Sequence, residues 1–389
     1  MNAVFASHAA NTRQPPMAWD GVLLLVVFTL AGLGLVMVGS ASVSLADRQT
    51  DEPFYYLARQ LMSLGAGLAL ALVVARMPLA LWQHLGVPML IVATALLVLV
   101  LVPGLGRSVN GSTRWLALGP LGFQVSEFAK LAAVVYVAGY LVRHDEAVRT
   151  TLGGFLKPLA LLGVMALLLL LEPDFGATVV ILATVMGMLF LGGVRLSLFG
   201  LLVTLAASGL AVLAITSPYR MERLTAFTNP WADPFNSGYQ LTQALIAFGR
   251  GEWFGVGLGG SIQKLFYMPE AHTDFLFAVM AEELGLAGVA AVILLFGFLT
   301  WRGFAIGRRA SRAGLAFGGH LAFGITLWLA IQAFVNMGVN MGALPTKGLT
   351  LPLMSYGRSS LLVVCIALAM LLRVDHEVRR HELGRGVVR

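Results

Sequence analysis

The chain has 389 residues, of which 58% are hydrophobic and only 12% are charged, and its mean hydropathy is +0.84. Because soluble domains carry about 25% charged residues, this composition excludes a soluble enzyme and a disordered chain. The net charge of +7 does not indicate a nucleic-acid-binding protein, because the basic residues lie between apolar runs and form no single patch. The composition predicts a polytopic membrane protein.

Apolar runs of about 20 residues, the length that crosses a bilayer as a helix, occur throughout the chain. Ten such runs begin near Gly21, Leu57, Leu85, Val125, Pro158, Ala177, Leu196, Phe275, Ala316 and Ser359. Only residues 172–176 separate the fifth run from the sixth, and because their two carboxylates are costly in lipid, we expect a tight, exposed turn there. The predicted fold class is an all-α polytopic membrane protein, with a ten-helix domain at 21–373 between tails at 1–20 and 374–389.

The distribution of Lys and Arg predicts which side each connection faces. With the N-terminus in the cytoplasm, 15 of the 26 basic residues fall in inner segments and 10 in outer segments, while Lys130 lies within a helix. Four of the outer ones lie in one long loop, which the positive-inside rule largely ignores. We therefore expect both termini in the cytoplasm and a large extracytoplasmic loop, residues 217–274, between the seventh and eighth helices.

Three outer connections are long, residues 102–124, 217–274 and 339–358. Their content of Gly, Pro, Trp and Tyr indicates ordered loops that fold against the bundle, and long loops of this kind are usually functional. We expect any chemistry on the outer face. The glycines at 255–260 satisfy G-x-G-x-x-G, but no strand and helix surround them, so they do not indicate a dinucleotide site.

The first of these loops and the fourth helix offer charged and aromatic candidates. Arg107, Arg114 and Trp115 would supply cations for a diphosphate and a ring that stacks on a sugar, although a lone Trp is more often an interfacial aromatic. Glu127 and Lys130 are spaced i, i+3 at the outer end of the fourth helix and can pair. Spacing alone leaves two alternatives open, a structural ion pair or a pair that lines a cavity and holds an anionic ligand.

Asp274 lies at the outer start of the eighth helix, where a carboxylate can simply cap free N–H groups. Glu270 and His272 lie near it in sequence, however, and Glu282 and Glu283 follow two to three turns further in. Carboxylates at membrane depth are costly and are functional candidates by default.

Residues 336–360 contain two Pro, four Gly, Lys347, Arg358 and several hydroxyl groups within an otherwise apolar region. Irregular backbone of this kind is tolerated at membrane depth where protein buries it or where it lines a wet cavity. This segment is therefore a third candidate for the site.

Three segments resemble the signatures of the SEDS family (shape, elongation, division, sporulation). They are Pro-Glu-Ala-His-Thr-Asp-Phe at 269–275, Ser-Glu-Phe-Ala-Lys at 126–130 and Leu-Pro-Thr-Lys-Gly-Leu-Thr-Leu-Pro-Leu-Met-Ser-Tyr-Gly at 344–357. The resemblance covers essentially the whole chain, and the three motifs occur in the same order as in the family. Ala271 and the residues at 340–347 are those typical of the family's division branch. Arg358 is a departure, because the family more often has a second glycine there, where a positive φ would suit it.

The resemblance implies a peptidoglycan glycosyltransferase that polymerises lipid II on the outer face of the cytoplasmic (inner) membrane, at the division septum. It places the essential carboxylate at Asp274 and supporting polar roles at Glu127, Lys130 and Trp115. It also implies a cognate class B penicillin-binding protein, an FtsI-type transpeptidase, and other divisome membrane proteins as partners.

Joining two lipid II units requires a sugar hydroxyl of one to displace the lipid diphosphate of the other, with inversion at the anomeric carbon. Asp274 would act as general base on that hydroxyl, and His272 is a further candidate for binding substrate. The departing diphosphate needs cations already in place, for which Lys130, Lys347, Arg107 and Arg358 are candidates. We expect no resident cofactor, with Mg²⁺ or Mn²⁺ assisting the diphosphate as the alternative, although the sequence has no clear ligand cluster.

Two other functions remain open at this point. A lipid II flippase would use the same intramembrane charges, but alternating access favours comparable polar gates on both sides, whereas here the polar loops cluster outside. A non-catalytic divisome scaffold predicts that charge changes in the outer loops leave turnover unaffected.

Overall fold

The computed structural model describes residues 19–109, 112–118, 121–216, 221, 226–346 and 348–386. The helices are α1 (Gly21–Thr50), α2 (Tyr55–Arg76), α3 (Leu79–Leu101), α4 (Val125–Arg143), α5 (Asp145–Thr150), α6 (Leu152–Leu171), α7 (Phe175–Leu191), α8 (Leu196–Ile215), α9 (Tyr239–Gly251), α10 (Leu276–Arg312), α11 (Ala316–Asn340) and α12 (Arg358–Gly386), with a 3₁₀ turn at Pro230–Ala232. The strands are β1 (Gly106–Val109), β2 (Ser112–Leu118) and β3 (Leu121–Gln124).

Each of the ten predicted apolar runs falls within a helix, so the prediction of a helical polytopic membrane protein is confirmed. Seven helices among the described residues are long and apolar enough to cross a membrane. Two further apolar stretches, Phe175–Leu191 of α7 and Leu196–Gly209 of α8, are shorter, and the second half of α12 is rich in charged residues. A count of ten crossings and the orientation in the membrane therefore stay predictions.

The start of α1 and the charged half of α12 lie at the same end of the bundle. Arg302 of α10 donates to Asp20, just before α1, at 2.6 Å, and Arg309 of α10 donates to Asp375 of α12 at 3.0 Å. Because α10 begins at Leu276, its outer-loop end lies at the opposite end of the bundle from these ion pairs.

Helix α4 occupies the centre of the bundle. Of its 19 residues, 16 are buried, including Glu127 and Lys130. A helix that is buried on all sides lies in the core of a membrane protein and does not face lipid. The charged residues at its outer end are therefore held within protein.

The loop at 102–124 folds as a three-stranded antiparallel sheet in the order β1-β2-β3, which the sequence analysis did not predict. Strand β3 runs directly into α4, because Gln124 ends the strand and Val125 begins the helix. The backbone N–H of Gln124 also donates to Ser359 Oγ of α12 at 3.0 Å. The sheet is thereby fixed over the N-terminal ends of α4 and α12.

Helix α10 is broken at Gly285, whose φ of 66° and ψ of −165° lie outside the helical region. Glycine tolerates this positive φ because it has no Cβ. The long outer loop supplies the lost backbone hydrogen bonds: Val256 N–H donates to the Glu282 carbonyl at 3.0 Å, and Leu286 N–H donates to the Glu252 carbonyl at 2.8 Å. The first two turns of α10, which follow Asp274, are thus joined to the outer loop.

Candidate active site

Asp274 lies in the turn directly before α10, at the end of the bundle opposite to the start of α1. Its side chain is half-buried. The loop between α11 and α12 approaches it so closely that a Cβ atom on Gly348 would lie 3.0 Å from Asp274 Oδ2. A larger residue at 348 would have to displace the carboxyl group, so Gly348 allows the loop backbone to form one wall of the site.

Burial raises the pKa of Asp274 to about 7. The negative charge of Glu270 raises this pKa further, the guanidinium of Arg114 lowers it, and the charge of Asp174 raises it slightly. Asp274 is therefore about half ionised at pH 7. A carboxyl group with a pKa near the working pH is well suited to act as a general base.

The turn between α6 and α7 belongs to this site, and the prediction that it is exposed holds for Pro173 but is wrong for its two carboxylates. Glu172 is 0% exposed and Asp174 is 2% exposed. Arg114 of β2 covers the turn, because its Nη2 donates to the Pro173 carbonyl at 2.6 Å and its Nη1 lies 4.0 Å from Asp174 Oδ1. The small sheet thus helps to shield the two carboxylates of the turn from solvent, while Pro173 stays exposed.

The two carboxyl groups of this turn have different surroundings. Asp174 Oδ1 accepts a hydrogen bond from the backbone N–H of Ala177 at 3.1 Å and so caps α7. Neither side-chain oxygen of Glu172 has a hydrogen-bond partner among the described residues. Burial raises the pKa of Glu172 to about 8, with the charge of Asp174 adding to the rise and Arg114 opposing it. Glu172 is therefore mostly protonated at pH 7.

His272, a candidate for substrate binding, is buried among aromatic rings. Its ring centroid lies 4.6 Å from that of Tyr56 and 5.4 Å from that of Tyr356, and its carbonyl accepts from the Tyr356 N–H at 2.9 Å. Burial lowers the pKa of His272, with the charge of Glu270 opposing. His272 is therefore neutral at pH 7 and forms part of the wall, without a charge to hold an anion.

Glu127 and Lys130 form the predicted ion pair, with 2.8 Å between Lys130 Nζ and Glu127 Oε1. They are only 5% and 2% exposed, and Lys130 also donates to Gln332 Oε1 at 2.7 Å. Gln332 donates to the Thr350 carbonyl at 3.0 Å, so the pair supports the loop between α11 and α12. Within the described residues no hydrogen bond joins it to Asp274, and this geometry favours the structural alternative. A substrate-binding role for the pair stays a prediction.

Trp115 and Arg358 are brought together across β3. A Cβ atom on Gly122 would lie 3.3 Å from Trp115 Cε3 and 4.0 Å from Arg358 Nη2. The indole and the guanidinium therefore flank the same point of the sheet. Arg358 begins α12 and does not have a positive φ, so this position does not require a glycine. In the preceding loop it is Leu353 that has a positive φ, of 65°.

Two candidate cations remain, Arg107 and Lys347, together with the possibility of a metal ion. Arg107 is exposed on β1, directly opposite Trp115 on β2. Lys347 lies outside the described residues. Across the part of the chain that the structure describes, no three His, Cys, Asp or Glu side chains are arranged to hold a metal ion, and assistance by Mg²⁺ or Mn²⁺ stays untested.

Glu282 and Glu283, both fully buried, hold the long outer loop against the bundle. Glu282 Oε1 accepts from Arg250 Nη1 at 2.5 Å. Glu283 Oε1 accepts from Lys264 Nζ and from Ser40 Oγ, each at 2.7 Å. These carboxylates therefore fix loop and helix to each other and do not line a wet passage.

The sequence analysis missed a polar stripe on α11. Gln332, Asn336 and Asn340 are all buried and are spaced four residues apart. Residues at i and i+4 lie on one face of a helix. The spacing of these three amides in an apolar sequence could therefore have indicated a polar face on α11. All three donate to carbonyl groups of the loops that surround Asp274.

Fold and site together define a polytopic helical membrane protein in which loops at one end of the bundle surround a half-buried carboxyl group, Asp274. A sequence model of the FtsW, RodA and SpoVE family, described as cell cycle proteins, matches residues 21–380. The chain belongs to this family.

Curated relatives and solved structures agree with this assignment. The chain is 58% identical over all of its length to a probable peptidoglycan glycosyltransferase FtsW of Nitrosococcus halophilus, again over all of that protein. It is 57% identical over 99% of its length to a protein of the same name from Legionella pneumophila, of which it covers 98%. A chain from a structure described as a peptidoglycan synthase complex that coordinates polymerization and crosslinking is similar with a TM-score of 0.77 and 32% identity, over 93% of this chain and 99% of that one. RodA of Thermus thermophilus is similar with a TM-score of 0.69 and 30% identity, over 93% and 98%.

Proposed function

We propose that this protein is a peptidoglycan glycosyltransferase that polymerises lipid II into glycan strands, with Asp274 as the general base. The observation that carries the proposal is the Asp274 carboxyl group, which burial brings to a pKa of about 7 at the end of the bundle where the outer loops meet. Relatives 57% and 58% identical over nearly the whole chain bear the name of such an enzyme. The polymerase function is supported by these relatives, and the role of Asp274 by its raised pKa and its position. One experiment tests both.

The reaction follows from this arrangement. A sugar hydroxyl of one lipid II molecule attacks the anomeric carbon of another, and its proton passes to Asp274. As the new oxygen–carbon bond forms, the bond from that carbon to undecaprenyl diphosphate breaks, with inversion. General-base assistance of this kind contributes typically about 10²–10⁴ in rate.

The departing diphosphate gains negative charge, which positioned cations stabilise. Arg358 and Arg107 are suitably placed in the sheet region, on either side of Trp115. Lys130 is less suitable, because its ammonium group is buried and already paired with Glu127. The exposed edge of the sheet and the Trp115 ring would contact the disaccharide.

Location and partners extend the proposal. Its apolar helices make the protein a multi-pass membrane protein, and we place it in the cytoplasmic membrane at the division septum, with the site facing outward. The similar chain in a synthase complex that coordinates polymerization and crosslinking supports a class B penicillin-binding protein as partner, together with other divisome membrane proteins.

The flippase alternative receives no support from the buried charges that it would need. Glu127 is paired with Lys130, and Glu283 with Lys264. Charges held in this way stabilise the packing of loops and helices, whereas transport needs polar groups that open to each side in turn.

The decisive experiment measures glycan formation from purified lipid II by the reconstituted protein, with its cognate transpeptidase blocked at its own active site. The parent protein should form polymer and Asp274→Asn should form none, while both fold and bind the partner. Asp51→Asn is the matched control, because Asp51 is exposed at the same end of the bundle in a left-handed conformation that Asn adopts readily. Parent-like polymerisation by Asp274→Asn would show that Asp274 is not the base, and no polymer from any protein in an intact complex would argue against the polymerase function.

A further inference from the structure

The backbone at Asp274 is held by two buried side-chain amides from α11. Asn336 Nδ2 and Asn340 Nδ2 each donate to the Asp274 carbonyl oxygen at 2.9 Å. Asn336 is 2% exposed and Asn340 is 0% exposed. A carbonyl that receives two hydrogen bonds from one rigid helix has little freedom to move.

Asn340 replaces a hydrogen bond that a regular helix would make for itself. In an α-helix the Asp274 carbonyl would accept from the N–H of Ala278, four residues later. Here Asn340 Nδ2 donates to that carbonyl, and Asn340 Oδ1 accepts from the Ala278 N–H at 3.1 Å, an N–H that also donates to the Phe275 carbonyl at 3.1 Å. The inserted amide keeps Asp274 outside the first turn of α10, which begins at Leu276.

Asn336 connects the two chain segments that enclose the carboxyl group. Besides the Asp274 carbonyl, its Nδ2 donates to the Leu349 carbonyl at 2.5 Å. Leu349 follows Gly348, the residue that stands against Asp274 Oδ2. The Asn336 amide therefore fixes the distance between the turn that contains Asp274 and the loop that contains Gly348 and Leu349.

We propose that Asn336 and Asn340 are positioning residues, which hold the Asp274 carboxyl group at the place where it accepts the proton of the attacking hydroxyl. The proposal rests on the proposed role of Asp274. Neither amide touches the space where substrate binds, because both are buried and face backbone carbonyls. Since a displacement of about 1 Å at a reacting group costs about a hundredfold in rate, loss of either amide lowers turnover without weakening substrate binding.

The test uses the near-isosteric substitutions Asn336→Leu and Asn340→Leu in the full-length protein with its partner. The expected result is a fall in kcat of about tenfold to a hundredfold per folded molecule, with the KM for lipid II within about twofold of the parent. Thr326→Val is the matched control, because Thr326 is equally buried on α11 and its hydroxyl donates only to the Ala322 carbonyl of its own helix. It should leave kcat unchanged.

The outcomes separate this proposal from the assignment of Asp274. Parent-like kcat in both Leu variants, or a raised KM with unchanged kcat, overturns the positioning role even if Asp274→Asn is inactive. If Asp274→Asn is active, the proposed base is wrong and the positioning role falls with it. If Asn340→Leu does not fold, Asn336→Leu decides, since it keeps the Asn340 bridge. If neither variant yields folded protein, the amides serve folding and the proposal is overturned.

Discussion

The pKa of about 7 at Asp274 predicts how polymerisation depends on pH. A general base acts in its ionised form, and the ionised fraction of such a group is about one half at pH 7, about one tenth at pH 6 and about nine tenths at pH 8. The rate should therefore rise about fivefold between pH 6 and pH 7, and less than twofold between pH 7 and pH 8. An ordinary aspartate, with a pKa of about 3.9, would give a flat profile over this range.

Two substitutions should move this profile in opposite directions. The Arg114 guanidinium lowers the pKa of Asp274, so Arg114→Gln should move the rise to higher pH. The charge of Glu270 raises that pKa, so Glu270→Gln should move the rise to lower pH. Each variant is the other's control, because a general loss of folding would lower the rate at every pH without a change of midpoint.

Initial rates of glycan formation at low lipid II concentration, from about pH 5.5 to about pH 8.5, report kcat/KM and hence the pKa of the free enzyme. His272 does not account for a rise near pH 7, because burial keeps its pKa below the usual value for histidine. A flat parent profile, or midpoints that move in the same direction in both variants, would refute the reasoning.

Three further predictions concern the groups around Asp274. Glu172→Gln should retain parent-like rate and stability, because Glu172 has a pKa of about 8 and is mostly protonated at pH 7; a tenfold loss of polymer formation would show that the ionised form is needed. Lys130→Met should destabilise the protein by about 3–5 kcal/mol, because it leaves Glu127 as an unpaired buried charge. Thermal unfolding measures this change in stability, and adding Glu127→Gln to the Lys130→Met variant should restore much of the lost stability. A double variant as unstable as Lys130→Met would show that the unpaired charge of Glu127 is not the cause. Gly348→Ala should lower kcat about tenfold without unfolding the protein, because the new Cβ would lie 3.0 Å from Asp274 Oδ2; a parent-like kcat would show that the loop moves freely.

The helices were predictable from the sequence because the requirement to cross a bilayer is local. An apolar run either has the length to span the hydrocarbon core or does not, and every predicted run lies in a helix. The strands were not predictable in this way. β1 and β3 have only four residues each, and the sheet depends on pairings such as Arg107 with Trp115 and Trp115 with Gln124.

The candidate site was predictable only in part, for a related reason. The motif around Asp274 pointed to the carboxyl group, but its neighbours come from distant parts of the chain. The turn at 172–176 was expected to be exposed because carboxylates prefer water. Its two carboxylates are buried instead, and Arg114, about sixty residues away, contacts the turn. Nothing in the turn's own residues indicates this contact.

The structure explains how irregular loops can hold a carboxyl group in place at the end of a helix bundle. Loops alone tend to be mobile, but here buried polar groups of core helices bind the loop backbone. Asn336 and Asn340 bind the turn at Asp274, and Gln332 binds the Thr350 carbonyl.

The same principle gives the buried ion pair a role at a distance. Lys130 donates to Gln332, and Gln332 donates to the loop that follows Gly348, so the pair stiffens a wall of the site without touching Asp274. A charge placed there costs desolvation free energy, which the pairing with Glu127 offsets. The polar residues of α4 and α11 therefore form a framework under the site.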